Sequence, residues 1–301
     1  MVCVPSMSVG GRLIVMARRA VRTVAWSFVG PAVALLSGCG EPPDYVPLRI
    51  VDASPVLLDD RAEMRDYVNA FPIDDYEPYA VRGGYRFFVD DPTDMIKQVI
   101  AAGHPWERHL LELFERHVEP GSVVVEVGAH MGAHTVPMAR LAGPWGRVYA
   151  FEPQRKIYRE LHHNLALNGV TNVVTLRYAV GAGKTRIIEM NPAVAGNEGG
   201  TGVGAGGDRA ELRALDGFGF ERVSLLKIDV EGYENEVIDG AVDTIRRNRP
   251  VIVLEIAGGE DYATAAPDVR ERIHVTWRRL EALGYTVTPV FKHDYLALPV
   301  G

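Results

Sequence analysis

From residue 122 onward the chain alternates between short β-branched runs and longer amphipathic stretches. Residues 122–127, bounded by Pro120-Gly121 and Gly128, predict a strand. A helix follows over 133–141, with Pro137 placed in its first turn or at a kink. Arg147–Phe151 is the second strand. The helix at 153–168 begins with Pro153 near its first position and has Gly169 just past its end. The third strand is predicted at 173–179, with an extra hairpin strand at 184–189. Residues 191–208 are rich in glycine and predict a flexible loop over a site. A fourth strand at 223–229, one helix over 234–247 and a fifth strand at 251–256 come next. A helix at 268–283, ended by Gly284, leads to a hairpin of 285–290 and 295–299. Repeated strand–helix–strand units with continuous apolar strands predict an α/β fold, with a parallel sheet covered on both faces. The closing hairpin adds an antiparallel strand.

Upstream the pattern is weaker. Residues 85–90 alternate like a strand, and 93–102 and 107–118 read as helices. In the second, Leu110, Leu111, Phe114 and Val118 share a face. A short helix is expected around 61–68. Four prolines within 41–55 suit an extended linker. These patterns divide the chain into an N-terminal segment (1–40), a linker and extension (41–80) and a folded domain (81–301).

The first forty residues hold four arginines and no acid, followed by an apolar run over 24–36. That run has the length of a signal-peptide core and is short of the about 20 residues a membrane span needs. It ends in Leu36-Ser37-Gly38-Cys39, which resembles the lipobox of bacterial lipoproteins. A genuine signal implies a membrane-anchored lipoprotein with a lipid at Cys39. Translation starting downstream implies a cytoplasmic protein. The net charge of −7 over 301 residues argues against a nucleic-acid partner held by a basic surface. Both cysteines, Cys3 and Cys39, precede the folded part, so it carries no disulfide framework and no thiolate metal site.

The chemistry concentrates at strand ends. The first strand runs into Glu126-Val127-Gly128-Ala129-His130-Met131-Gly132. Two glycines there let backbone approach a ligand beyond the carboxyl ends of the strands. The spacing is Gly-x-x-x-Gly, not Gly-x-Gly-x-x-Gly, which disfavours a nicotinamide dinucleotide and suits a phosphate-free cofactor. The second strand ends Phe151-Glu152-Pro153, placing an acid about 20 residues past the turn, where it accepts from ribose hydroxyls. Glu152 otherwise serves as an acid at a helix start.

With those motifs the chain from about residue 85 to 299 resembles the FkbM family of S-adenosylmethionine-dependent methyltransferases. The further motifs are Asn197-Glu198-Gly199-Gly200, Leu226-Lys227-Ile228-Asp229-Val230-Glu231-Gly232-Tyr233-Glu234 and Asp294-Tyr295-Leu296-Ala297-Leu298-Pro299. The resemblance implies a Rossmann-like class I methyltransferase fold with a seven-stranded, mostly parallel sheet. It implies that Gly128, Ala129, His130 and Gly132 meet the methionine part of the cofactor, with Glu126 near its amine. It implies that Glu152, followed by Pro153, holds the ribose, that Ala179 and Val180 approach the adenine, and that Trp106-Glu107 comes near the pocket. The family usually has Asp at the position of Glu126 and Asn at that of His130.

Asp229 and Glu231 stand at the carboxyl end of the fourth strand and are the catalytic candidates, as orienting or deprotonating carboxylates for an acceptor hydroxyl. Glu231 equally suits a helix-capping role, and Glu234 suits it better. Lys227 shares the strand face of Asp229, to pair with it or to stabilise an oxyanion. Glu255 either borders the acceptor pocket or is a satisfied edge carboxylate. His130 and His134 begin in a glycine turn and lack the glutamate of the zinc-protease motif, so no metal is expected from them. His162 and His163 are expected at a helix surface. The function these residues imply is O-methylation of a hydroxyl on a glycan, lipid-linked sugar or secondary metabolite. A non-catalytic envelope-anchored binding protein of the same fold is the alternative.

Overall fold

The computed structural model describes residues 78–256 and 264–301, together with 67, 69, 70 and 262. The expectations for 1–40, including Cys39, for the 41–55 linker and for most of a helix at 61–68 lie outside the described residues. The described residues all belong to the compact unit Arg49–Gly301.

A hairpin, β1 (Pro78–Val81) and β2 (Tyr85–Phe88), leads into α1 (Met95–Ala101) and α2 (Arg108–His117). Asp94 caps α1, accepting from the backbone N–H of Ile96 and Lys97. Then β3 (Val123–Val127), α3 (Thr135–Ala142), β4 (Arg147–Phe151), α4 (Arg155–Leu167) and β5 (Val173–Leu176) follow in the expected order. β6 (Tyr178–Val180), β7 (Arg186–Met190), β8 (Val203–Gly204) and β9 (Arg209–Arg213) form a separate four-stranded sheet, ordered β6-β9-β7-β8. β10 (Val223–Ile228), α5 (Glu234–Asp239), α6 (Val242–Asn248), β11 (Val251–Glu255), α7 (Pro267–Ala282), β12 (Tyr285–Phe291) and β13 (Asp294–Pro299) complete the chain.

The main sheet has seven strands in the order β12-β13-β11-β10-β3-β4-β5. From β11 to β5 all neighbours are parallel, and β13 runs antiparallel between β11 and β12. This is the expected class I methyltransferase architecture. The strand alternation splits the core in two. Val125, Val127, Leu226, Ile228, Ile252 and Leu254 pack with Val237, Ile245, Ile273 and Leu280 of α5 to α7. Val124, Leu225 and Val253 face the other way, against Leu110, Phe114, Met138 and Ala142. Pro137 is the third residue of α3, where a missing N–H costs nothing.

Four expectations need correction. The third strand does not run through 173–179. It breaks at Arg177, whose guanidinium donates to the carbonyls of Pro153 and Arg209 and turns the chain into the second sheet. The helix over 234–247 is two helices. The Gly240 carbonyl accepts from Asp216 N–H, and the Asp216 carboxylate caps α6 through Asp243 and Thr244. Asp216 comes from a 3₁₀ turn, Leu215–Phe218, that the pattern did not reveal. Pro153 precedes α4 instead of opening it, because Gln154 takes the N-cap position and Asp208 accepts from Arg155 N–H. Finally, 191–208 carries β8 and a bridge between Val194 and Asn197, so part of it is paired.

Candidate functional site

β3 ends at Val127, and the chain then bends sharply over the end of β4. The N–H groups of Gly128 and Ala129 both donate to the Phe151 carbonyl, at 3.0 and 2.9 Å. Gly128 has φ +88°, and a Cβ there would sit 1.7 Å from the Asp229 carbonyl oxygen. The next residues fix the acid on β4. His130 N–H donates to Glu152 Oε2 at 3.0 Å, and Gln154 N–H donates to Oε1 at 2.9 Å. Burial pushes the Glu152 carboxyl up to about 7, against those two backbone donors.

These groups border a cavity of about 590 Å³ beyond the carboxyl ends of β3, β4, β10 and β11. That is ample for a nucleoside-sized ligand. Of the expected site residues, Glu107, Gly128, His130, Glu152, Pro153, Ala179, Val180, Asp229 and Glu231 all line it. Trp106 and Glu255 line it as well. Ala179 and Val180 do so from within β6. Glu107, His130, Glu231 and Lys292 are four non-glycine lining residues held at positive φ, at 43°, 47°, 53° and 49°. Left-handed backbone at four lining residues is strain of the kind that concentrates at functional sites.

Four expected residues do not reach the cavity wall. Ala129 packs into the core with Met131 and Leu161, and Gly132 turns the chain into α3. Glu126 is fully buried under the floor, where Thr135 Oγ1 donates to its Oε2 at 2.5 Å. It points to the α2 and α3 face, as its strand parity dictates. Burial pushes Glu126 up to about 7. Lys227, its parallel neighbour on β10, lies under the same floor and donates to Asp229 Oδ2 at 2.9 Å. Burial alone would lower the Lys227 pKa, but Asp229 and Glu126 outweigh it and hold the ammonium charged.

His130 is the most exacting of the lining residues. Its imidazole is buried, which pushes it down to about 4 and keeps it neutral. Neither ring nitrogen has a hydrogen-bond partner among the described residues. A buried imidazole with donor and acceptor both unused is an unmet polar group of the kind that marks strain or a functional role. Gly199 of the glycine-rich segment lies over it, so close that a Cβ would be 3.1 Å from the ring.

Some lining residues were missed in the sequence. Gln154, His109, Phe291 and His293 border the cavity without any motif to mark them. The hairpin turn after β12 and the hydrogen bond of Gln154 N–H to Glu152 put two of them there. His162 and His163 play no part at the cavity. His162 Nε2 bonds Thr175 Oγ1 at 2.7 Å.

Residues 126–287 match the family model described as the methyltransferase FkbM domain, which spans more than half of the chain. The chain belongs to the FkbM methyltransferase family. Its cofactor is S-adenosyl-L-methionine. The AMB antimetabolite synthetase AmbE of Pseudomonas aeruginosa is 31% identical over 188 residues, which is 48% of this chain and 9% of that protein. Similar solved structures include an FkbM methyltransferase from Methylobacillus flagellatus, 13% identical with TM-score 0.40, covering 80% of this chain and 60% of that one. The fibrillarin of Aeropyrum pernix, in complex with S-adenosyl-L-methionine, is 13% identical with TM-score 0.43, covering 76% of this chain and 84% of its own. For an FkbM methyltransferase the cradle at Gly128, the unspent His130 and the fixed Glu152 are the parts that fit the cofactor. Glu126 and Lys227 support the cavity floor.

Proposed function

We propose that the protein methylates a hydroxyl oxygen, on a glycan, a lipid-linked sugar or a secondary metabolite. One observation carries this reading. Asp229 stands at the cavity with Oδ2 held by the buried Lys227, and Oδ1 has no donor among the described residues. A carboxylate so oriented is equipped to accept the proton of a hydroxyl as its oxygen becomes the nucleophile.

When bound, adenosylmethionine supplies a methyl group already activated by its sulfonium charge. The protein's own share is positioning. Glu152 accepts from the ribose hydroxyls with the lone pairs that His130 and Gln154 leave free. His130 and the Gly128 turn meet the methionine part, and Ala179 and Val180 border the adenine. Lys227 holds Asp229 in place through Oδ2, and Asp229 takes the proton. Glu231 and Glu255 border the acceptor.

Two outcomes are expected. Adenosylhomocysteine affinity, measured by calorimetry, rises as pH goes from 6 to 8, because the Glu152 carboxyl titrates near 7 and its charged form is the better acceptor. Glu152→Gln weakens that affinity by about tenfold or more, the size of a lost charge-assisted bond, and flattens the pH trend. Unchanged binding at both pH values contradicts the ribose role.

The second concerns transfer. With tritium-labelled adenosylmethionine and metabolite and glycan extracts, Asp229→Asn lowers label transfer by about a hundredfold or more. Adenosylhomocysteine affinity in that variant stays within a factor of a few. Equal transfer by variant and wild type places the base elsewhere.

A further inference from the structure

Four side chains that proton transfer by Asp229 does not use converge beside the acceptor end of the cavity. Glu255 ends β11, and its register partner on β13 is Asp294. His293 precedes Asp294 in the hairpin turn, and Glu107 arrives from the left-handed residue before α2. One carboxylate oxygen or imidazole nitrogen from each lies within 4.8 Å of the others. Around a cation with bonds of about 2.0–2.2 Å, opposite ligand atoms stand roughly 4.0–4.4 Å apart, so only a small contraction is needed.

The charges in this group are not neutralised as they are elsewhere. The comparable trio of Asp90, Glu160 and Glu198 is gripped by two lysines, Lys97 and Lys156. Among the described residues, no lysine or arginine forms an ion pair with Glu107, Glu255 or Asp294. Their ionisable partners are imidazoles: His109 Nε2 at 2.6 Å from Asp294, His293 Nε2 at 3.3 Å from Glu255, and His134 Nε2 at 3.6 Å from Glu107, which also accepts from the Trp106 indole.

His134 is the independent observation. It is 4% exposed, with its ring edge against Phe114. It bonds the Trp106 backbone through one nitrogen, while Nε2 has no hydrogen-bond partner among the described residues. A ring nitrogen bonded to a carbonyl carries the proton, so Nε2 presents a lone pair. A lone pair facing a buried carboxylate is met by a proton or by a cation between or beside them.

We propose that Glu107, Glu255, His293 and Asp294 bind a divalent first-row transition cation, with His134 supporting Glu107. Three oxygen donors and one imidazole suit such an ion better than Ca²⁺, and thiolate is absent from the set. Beside the acceptor the cation would lower the pKa of the incoming hydroxyl. That role rests on the methyl-transfer reading; the binding itself does not.

The test uses the full chain stripped with chelator and titrated with MnCl₂, free Mn²⁺ being followed by its electron paramagnetic resonance. One site per chain is expected, and Glu255→Gln and His293→Ala are each expected to weaken it by about tenfold or more. Adenosylhomocysteine binding in both variants, measured in parallel, is expected to stay intact and shows that they fold. Absence of any site tighter than about 1 mM in the wild type, or affinity indifferent to both variants, overturns the proposal and leaves a shared proton to bridge Glu107 and His134. Mn²⁺ bound without adenosylhomocysteine binding in the wild type would uphold the cation site and sink the methyl-transfer reading instead.

Discussion

Gly128→Ala is expected to lose about 4 kcal/mol or more of stability, the range reserved for substitutions with a specific steric cause. The added Cβ would lie 1.7 Å from the Asp229 carbonyl oxygen and 2.9 Å from its carbon. Backbone atoms of two paired strands cannot step aside cheaply. Asp229 N–H donates to the Val127 carbonyl at 2.9 Å, and Gly128 N–H donates to Phe151 at 3.0 Å, so the crowded pair is tied on both sides. The φ of +88° adds a further penalty for any side chain. Gly132→Ala is the matched comparison. Its φ is +93°, but the nearest atom to its Cβ would be Leu161 Cδ1 at 2.9 Å, the end of a side chain that can rotate. Urea unfolding of both variants should therefore rank Gly128→Ala well below Gly132→Ala. Losses of equal size would mean that backbone conformation, and not the approach of β10, sets the cost.

The same close approach explains why the turn was legible from residue types alone. Strand β10 passes over Gly128 within touching distance of a missing side chain, so only glycine serves. Strand bounds were legible wherever a run of apolar residues met a glycine, as at Val123–Val127 before Gly128 and Arg147–Phe151 after Gly146. What failed were elements shaped by distant partners. The split between α5 and α6 depends on Asp216, and the start of α4 depends on Asp208, each far along the chain from the helix it caps. Local periodicity carries no record of such contacts.

The site divides in the same way. Glu152 and Asp229 were readable because both follow strands and both meet the cavity. Glu126 and Lys227 sit one strand residue pair deeper, on the face parity assigns them, and parity alone does not reveal that α3 covers that face. The carboxylates and imidazoles around Glu255 had no motif at all. They meet because β13 inserts between β11 and β12, an arrangement of the whole sheet. Glu107 there is pushed up to about 8, first by burial and then by Asp229 and Asp294, so it is largely protonated at neutral pH.

Lys97→Met should be the most damaging single change away from the cavity. The ammonium is fully buried and lies 2.5 Å from Asp90, 2.7 Å from Glu198 and 3.0 Å from Glu160. Removing one partner of a buried charged group leaves the others uncompensated, at about 3–5 kcal/mol. Lys156 remains, bound to Asp90 at 2.7 Å and to Glu198, but cannot balance three acids. The loss should depend on pH, and its sign follows from Glu160. Burial already raises that carboxyl to about 7, with Lys97 the largest force holding it down. Without Lys97 its folded pKa rises further, while the unfolded value stays near about 4.3. An acid raised in the folded state costs stability as pH climbs above its unfolded pKa, so the deficit of the variant widens from pH 5.5 to pH 8. Adding Glu160→Gln should restore part of the loss at pH 8 and little at pH 5.5. The cofactor should register the change too. Glu198 N–H is tied to Asp94 and its carboxylate to Lys97, and the next residue, Gly199, lies on His130. Weaker adenosylhomocysteine binding in Lys97→Met is therefore expected alongside the lower unfolding midpoint. A deficit that is small, or equal at the two pH values, would mean that Lys156 alone neutralises the cluster.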